Sequence, residues 1–289
     1  MFESGTTKKK AVMQDQIASK TALATAYIRA AHQLLDDKPL LLNDPVALPL
    51  LGAKAAEIIN SSLDRYKSSA GRGLRTHVVL RSRFTEDCLR AAVSKGASQY
   101  VLIGAGFDTF TLRRPCWARG LKIIEVDHPA TQAAKREYIL KAGLSEPDNV
   151  TFVPIDFVRE ELGEVLSRQG ISFGEPTFFS WLGVCMYLEE SAIDATLRVI
   201  ASFAAGSQLS MTFKQPLEGS ASKLSDRVSD VGEPFISFFT PGEIEAKLRQ
   251  TGFSRIDFLT PEKTQEAYFM PARNDLPLPK RTDTLCAII

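Results

Sequence analysis

The sequence lacks what would mark a membrane protein, a disulfide scaffold or a nucleic-acid binder. No apolar run in the chain reaches the roughly 18 residues that a membrane span needs. Residues 1–16 are polar, and no apolar stretch follows the lysines at 8–10 as it would in a secretory signal. The four cysteines, Cys88, Cys116, Cys185 and Cys286, lie far apart and form no C-x-x-C pair. Three histidines, His32, His77 and His128, make no H-x₃₋₅-H spacing, so no metal site is expected. Reduced thiols in a cytoplasmic protein are the reading that remains. Neither sign of charge prevails: 35 Lys and Arg oppose 34 Asp and Glu, for a net charge of +1. A nucleic-acid binder would need a basic footprint to release counterions, and a membrane-surface protein a polybasic segment.

What is present is an ordinary globular composition, 44% hydrophobic and 24% charged over 289 residues. That is enough for one large α/β domain with a helical extension or for two smaller domains. Before residue 98 the pattern is helical. Residues 17–34 are Ala-rich, with Leu23, Tyr27, Ile28, Ala31 and Leu34 near helical spacing. Asn43-Asp44-Pro45 reads as a turn into a short helix stopped by Gly52. Residues 53–68 suggest another helix, Gly71 and Gly73 a break, and 74–94 a third strong helix.

Beyond residue 98, short apolar runs at 99–103, 121–126, 150–154, 177–184 and 207–213 alternate with helical stretches at 129–142, 158–169 and 190–204. Such alternation predicts a parallel sheet covered on both faces. A helix over 241–252 precedes two closing strands at 253–260 and 283–289. The loop-like segment 214–234 reads as a possible lid.

The chemistry gathers at the carboxyl ends of the predicted strands, where open α/β sheets bind ligands. After the first strand comes Gly104-Ala105-Gly106-Phe107-Asp108-Thr109, whose small residues permit a sharp turn and a close approach. The third Gly of a dinucleotide fingerprint is missing, since position 109 is Thr. Asp127 ends the second strand 21 residues after Gly106, where an acid accepts from a ribose diol. It could equally cap the helix that follows Asp127-His128-Pro129. Asp156 and Phe157, past the third strand, suit an adenine amine and ring face, or again a cap.

Together with Ser19-Lys20-Thr21-Ala22-Leu23, Arg81-Ser82-Arg83-Phe84-x-x-Asp87, Pro154-x-Asp156-Phe157 and Ser180-Trp181-Leu182-Gly183-Val184-x-Met186-Tyr187-Leu188, these segments resemble the leucine carboxyl methyltransferase family. The likeness runs from about residue 15 to 200 and is strongest to the bacterial branch of O-methyltransferases within the class I S-adenosylmethionine-dependent enzymes. It implies an α/β, Rossmann-like class I methyltransferase fold: a seven-stranded, mostly parallel sheet with one antiparallel strand near the C-terminus. The expected organisation is a disordered tail at 1–14, an N-terminal helical cap over 15–95 and a cofactor-binding domain over 96–289. S-adenosyl-L-methionine is the implied cofactor, held by Arg81 at its carboxylate with Lys20 nearby. Gly104 and Gly106 would lie beside it, Asp127 on its ribose, and Asp156 with Phe157 at its adenine. Arg83 is a second choice for the carboxylate. One departure stands out: Leu182 aligns where eukaryotic members carry a cofactor-contacting Glu, so activity on the same protein C-terminus is not implied.

Methyl transfer asks little covalent help of the protein, because the sulfonium is already activated. A carboxylate acceptor needs no base, whereas a hydroxyl benefits from one. The sequence assigns none, and it reads His128 as structural beside its Pro. Trp181 reads as either core or site wall. The expected acceptor is a small molecule methylated on oxygen, with Phe107, Phe110, Trp181, Met186 and Phe213 as candidates for an apolar lining. A nicotinamide-dependent oxidoreductase and a catalytically silent binding protein of the same fold are the alternatives.

Overall fold

The computed structural model describes residues 18–113, 115–157, 159–216, 234–270 and 275–289. The expected tail at 1–14, and all of the possible lid except its ends, lie outside these residues. Helices come first: α1 (Lys20–Leu35), α2 (Ala47–Leu51), α3 (Ala55–Ser61), α4 (Leu63–Lys67) and the long α5 (Ser69–Ser94). Strands and helices then alternate through β1 (Gln99–Ile103), α6 (Phe110–Arg113), β2 (Lys122–Asp127), α7 (Pro129–Lys141) and β3 (Val150–Pro154). They continue with α8 (Leu162–Arg168), β4 (Thr177–Trp181), α9 (Glu190–Ala201) and β5 (Gln208–Thr212). The chain closes with α10 (Pro241–Thr251), β6 (Arg255–Phe258), α11 (Pro261–Thr264) and β7 (Thr284–Ile288). No described helix is long and apolar enough to cross a membrane.

One seven-stranded sheet runs in the order β3-β2-β1-β4-β5-β7-β6. The first five strands are parallel, and β7 pairs antiparallel with both β5 and β6. Because side chains alternate along a strand, each central strand feeds two cores. Val101, Ile103, Phe179 and Trp181 point to the face covered by α8, α9 and α10. Tyr100, Leu102 and Phe178 point to the opposite face, against Leu89 and Ala92 of α5. A strand buried on both faces reads as a continuous apolar run, which is why β1 was plain in the sequence. Two hydroxyl pairs thread the α5 side: Tyr100 Oη donates to Ser180 Oγ at 2.9 Å, and Thr85 meets Ser210 at 2.7 Å.

The sheet reverses direction in strand order between β1 and β4, and the N-terminal helices lie beside that point. Ser19 caps α1 through Ala22 N, and its own amide donates to Thr131 of α7. A third apolar cluster joins α1, α2 and α3 to Phe107 and Ile139. Behind the β2 end, a buried pair of Lys135 and Glu125, 2.5 Å apart, pins α7 to the sheet.

Several boundaries differ from the sequence expectation. Gly71 and Gly73 do not break the chain but lie in the first turns of α5, capped by Ser68. A Cβ on Gly71 would fall 2.1 Å from the Arg65 carbonyl oxygen, so glycine there lets the end of α4 fold tightly onto α5. The helix expected over 53–68 divides at Ser62, and α8 begins at Leu162 rather than 158. β4 stops at Trp181 because Gly183 adopts φ +73°. In α1 the buried face carries Ala26, Arg29, Ala30, Ala31 and His32, whereas Leu34 is 40% exposed. Small residues allow close helix approach there, and Arg29 is buried only because carboxylates meet it.

Candidate active site

A cavity of about 250 Å³ opens at the carboxyl ends of β1, β2, β3 and β4, walled on the other side by α1 and α5. Six of the seven residues singled out in the sequence line it: Arg81, Gly104, Gly106, Asp127, Asp156 and Phe157. Lys20 does not. It is exposed, while its neighbours Ser19 and Thr21 line the cavity, because successive helical residues point to different sides.

The β1 loop is shaped by glycine at two points. Gly104 (φ +69°) and Gly106 (φ +51°) both occupy the left-handed region, and a Cβ on Gly104 would lie 2.2 Å from Val184 Cγ2. The close approach at Gly104 is therefore to protein, the turn after β4, and it brings that turn to the cavity edge. Asp127 closes the loop from the β2 side: its carboxylate accepts from the Gly106 amide and, at 2.6 Å, from the His128 amide. Burial pushes the Asp127 pKa up to about 6, against the pull of those two amides. Asp127 is not the cap of α7. His128 is, with Nδ1 accepting from Ala130 N at 3.3 Å. Past β3, Asp156 pairs with Arg159 at 3.3 Å and Phe157 packs against the sheet core.

Beneath the loop lies an ionic network that the sequence reading missed. Arg29 of α1 donates to Asp108 at 3.0 Å, to Ser82 at 3.2 Å and to Thr109 at 3.3 Å. Thr109 in turn donates to Asp44, and Arg113 reaches both Asp44 and Glu86. Although burial would raise it, the Asp108 pKa is held down at about 2 by Arg29, Lys135 and Arg113 and by the Phe110 amide. Arg29 itself lines the cavity, and its buried Nε has no hydrogen-bond partner among the described residues. A cation standing on the buried face of α1 was the available signal, but the heavier aliphatic residues drew the helical stripe to another side.

The second guanidinium at the cavity is different. Arg81 of α5 donates to His77 Nε2 at 3.4 Å and, among the described residues, makes no direct ion pair. Its pKa is lowered to about 10, by burial first and by repulsion from Arg29 second. Arg83, the second choice, faces away from the cavity and pairs with Asp87 at 2.9 Å.

The turn and segment after β4 add Leu182, Val184, Tyr187 and Leu188 to the lining, together with Ile236. Of the five apolar candidates from the sequence, only Phe107 lines the cavity. Phe110, Trp181, Met186 and Phe213 are buried in the core. Trp181 belongs to the sheet core, its Nε1 without a partner among the described residues.

The family model for leucine carboxyl methyltransferases matches residues 22–201. Among curated proteins, the chain is 30% identical over 293 residues to YktD of Bacillus subtilis, which is named for S-adenosyl-L-methionine-dependent methyl transfer. That match covers 91% of this chain and 95% of the relative. Among solved structures, a DUF574-family protein from Streptomyces avermitilis superposes with a TM-score of 0.60 at 12% identity, over 95% of this chain and 98% of that one. A Thermobifida fusca protein described as a methyltransferase gives 0.54 at 18% identity, over 83% and 91%. At such identities the structural likeness speaks for the fold.

Proposed function

The chain belongs to the leucine carboxyl methyltransferase family, and from that premise we propose that it methylates an oxygen, carboxylate or hydroxyl, of a small molecule. Methyl transfer from S-adenosyl-L-methionine is the reaction that membership brings with it. The oxygen and the size of the acceptor are our own reading.

The residues present suit the cofactor. Arg81 offers a guanidinium without a carboxylate partner of its own among the described residues, which suits the cofactor's carboxylate through charge-assisted hydrogen bonds. Asp127, already oriented by two amides, keeps lone pairs for a ribose diol. Asp156 and Phe157, together at the end of β3, would take the adenine. Gly104 and Gly106 would offer backbone rather than side chain at the cavity edge. Lys20, outside the cavity, is not part of this set. When bound, the cofactor supplies an activated methyl group. The protein's part is to align the acceptor with it and to exclude water.

The apolar wall carries the acceptor reading. Leu182, Val184, Leu188 and Ile236 bring no polar side-chain atom to the lining. A wall with so few polar handles fits an apolar small molecule better than a polar protein tail. It also fits an acceptor that needs no general base, as a carboxylate does not. Incubation with methyl-labelled S-adenosylmethionine and a metabolite extract tests this. A labelled methyl ester or ether of a small molecule is expected; label on nitrogen, on sulfur or in a protein fraction would sink the reading.

A further inference from the structure

Arg81 differs from the buried cations of this protein in how its charge is met. Arg29 contacts the Asp108 carboxylate directly. Arg75 meets Asp36 at 2.6 Å, and Lys135 meets Glu125 at 2.5 Å. Arg81 reaches a carboxylate only at one remove. Its Nη1 can only donate, so the 3.4 Å contact makes His77 Nε2 the acceptor. The other ring nitrogen, Nδ1, faces Asp283 Oδ2 at 3.2 Å. Asp283 is fixed on its other oxygen by the Thr284 hydroxyl at 3.0 Å. Burial alone would raise the Asp283 pKa, yet His77, Thr284 and Arg81 outweigh it and hold the carboxyl below its ordinary range.

The opposite face of the guanidinium is bounded by backbone. A Cβ on Gly183 would lie 2.9 Å from Arg81 Nη1 and 3.1 Å from Nη2, so the group rests against the turn after β4. That turn is itself held by Thr212, whose hydroxyl accepts from the Gly183 amide at 2.7 Å. One edge of Arg81 is thus held by His77 and one face by Gly183, while the residue still lines the cavity.

We propose that His77 and Asp283 are positioning residues for cofactor binding: the Asp283–His77–Arg81 chain holds the guanidinium at the cavity wall, ready for the carboxylate of S-adenosylmethionine. This rests on the reading of Arg81 given above. The arrangement supplies orientation without giving Arg81 a full counter-charge to surrender when an anion arrives. A guanidinium paired directly with a carboxylate, as Arg29 is, would have to exchange one anion for another. His77 and Asp283 are each about one-third exposed, so their replacement does not open a hole in the core.

The experiment compares two ligands by titration calorimetry. S-adenosylhomocysteine carries the amino-acid carboxylate; 5′-methylthioadenosine lacks it. His77→Ala and Asp283→Ala are expected to weaken S-adenosylhomocysteine about fivefold and to leave 5′-methylthioadenosine unchanged. His77→Gln, which restores an acceptor near the Nε2 position, is expected to recover most of the loss. Equal losses for both ligands, or no loss for either, would overturn the proposal and leave the pair as a tie between α5 and β7. Arg81→Ala is the arm that tests the premise: if it fails to discriminate between the ligands, the reading of Arg81 falls and the inference falls with it. Discrimination by Arg81→Ala without discrimination by His77→Ala removes the inference alone.

Discussion

Two guanidiniums border one cavity, and the protein treats them in opposite ways. Arg29 is locked among Asp108, Asp44, Thr109 and Ser82, a set drawn from α5 and the loops before α2 and α6. Arg81 leans on a histidine and a glycine. The first arrangement spends its charge on holding elements together, and the second leaves charge available at the cavity wall. On the proposed reading, the directness of the counter-charge distinguishes the structural cation from the ligand-binding one.

The comparison breaks most sharply at Asp108. Asp108→Ala strands the Arg29 charge with only Asp44, 3.9 Å away. It should cost about 3 kcal/mol of stability, read as a lowered urea midpoint at unchanged slope. A loss under about 1 kcal/mol would mean that Arg29 is as loosely compensated as Arg81. Next comes Arg81→Ala, expected to shift stability little but to weaken S-adenosylhomocysteine by about 2 kcal/mol, measured by calorimetry. The reverse pattern, lost stability with intact affinity, would exchange the roles of the two arginines.

The pH profile sharpens the same contrast on the carboxylate side. Asp108, at about 2, stays ionised at every working pH. Asp127, pushed up to about 6, does not. Ribose hydroxyls donate to the ionised form, so binding favours deprotonation and affinity should fall as pH drops through about 6. Well below that pH the slope should approach about 1.4 kcal/mol per pH unit, with proton release on binding. Asp127→Asn should flatten the profile. The smallest effect is expected from Gly183→Ala, which places a side chain at φ +73° and against Arg81. It should lower stability by about 1 kcal/mol and weaken S-adenosylhomocysteine by about threefold. Intact affinity would show that Arg81 has slack against the β4 turn.

The strand-end motifs were legible because they are local. Gly104, Gly106, Asp127, Asp156 and Phe157 each follow directly on an apolar run, and parallel pairing brings those ends side by side. The sheet was legible for the same reason. Resemblance to the family, more than spacing, brought Arg81 into view, since one arginine on a charged helix face carries no sign of what it meets. The Arg29 network was hidden because its parts lie 79 and 80 residues apart in pairs such as Arg29–Asp108 and Arg29–Thr109. Periodicity favoured the bulky stripe of α1, while the fold buried the alanine face with its arginine. Gly71 misled because a glycine that permits close packing looks, in a sequence, like one that ends a helix.

The position of β7 has a consequence in time. Asp283 immediately precedes that strand, which follows every other described strand in the chain yet lies between β5 and β6 in the sheet. During synthesis, β1 to β4 and the loop that Asp127 closes are available long before Asp283, the residue proposed to steady Arg81, emerges. A growing chain would thus acquire a grip on the nucleoside half of its cofactor first. The grip on the amino-acid half would come only once β7 has been threaded into its slot, which makes full affinity a late sign that the sheet is complete.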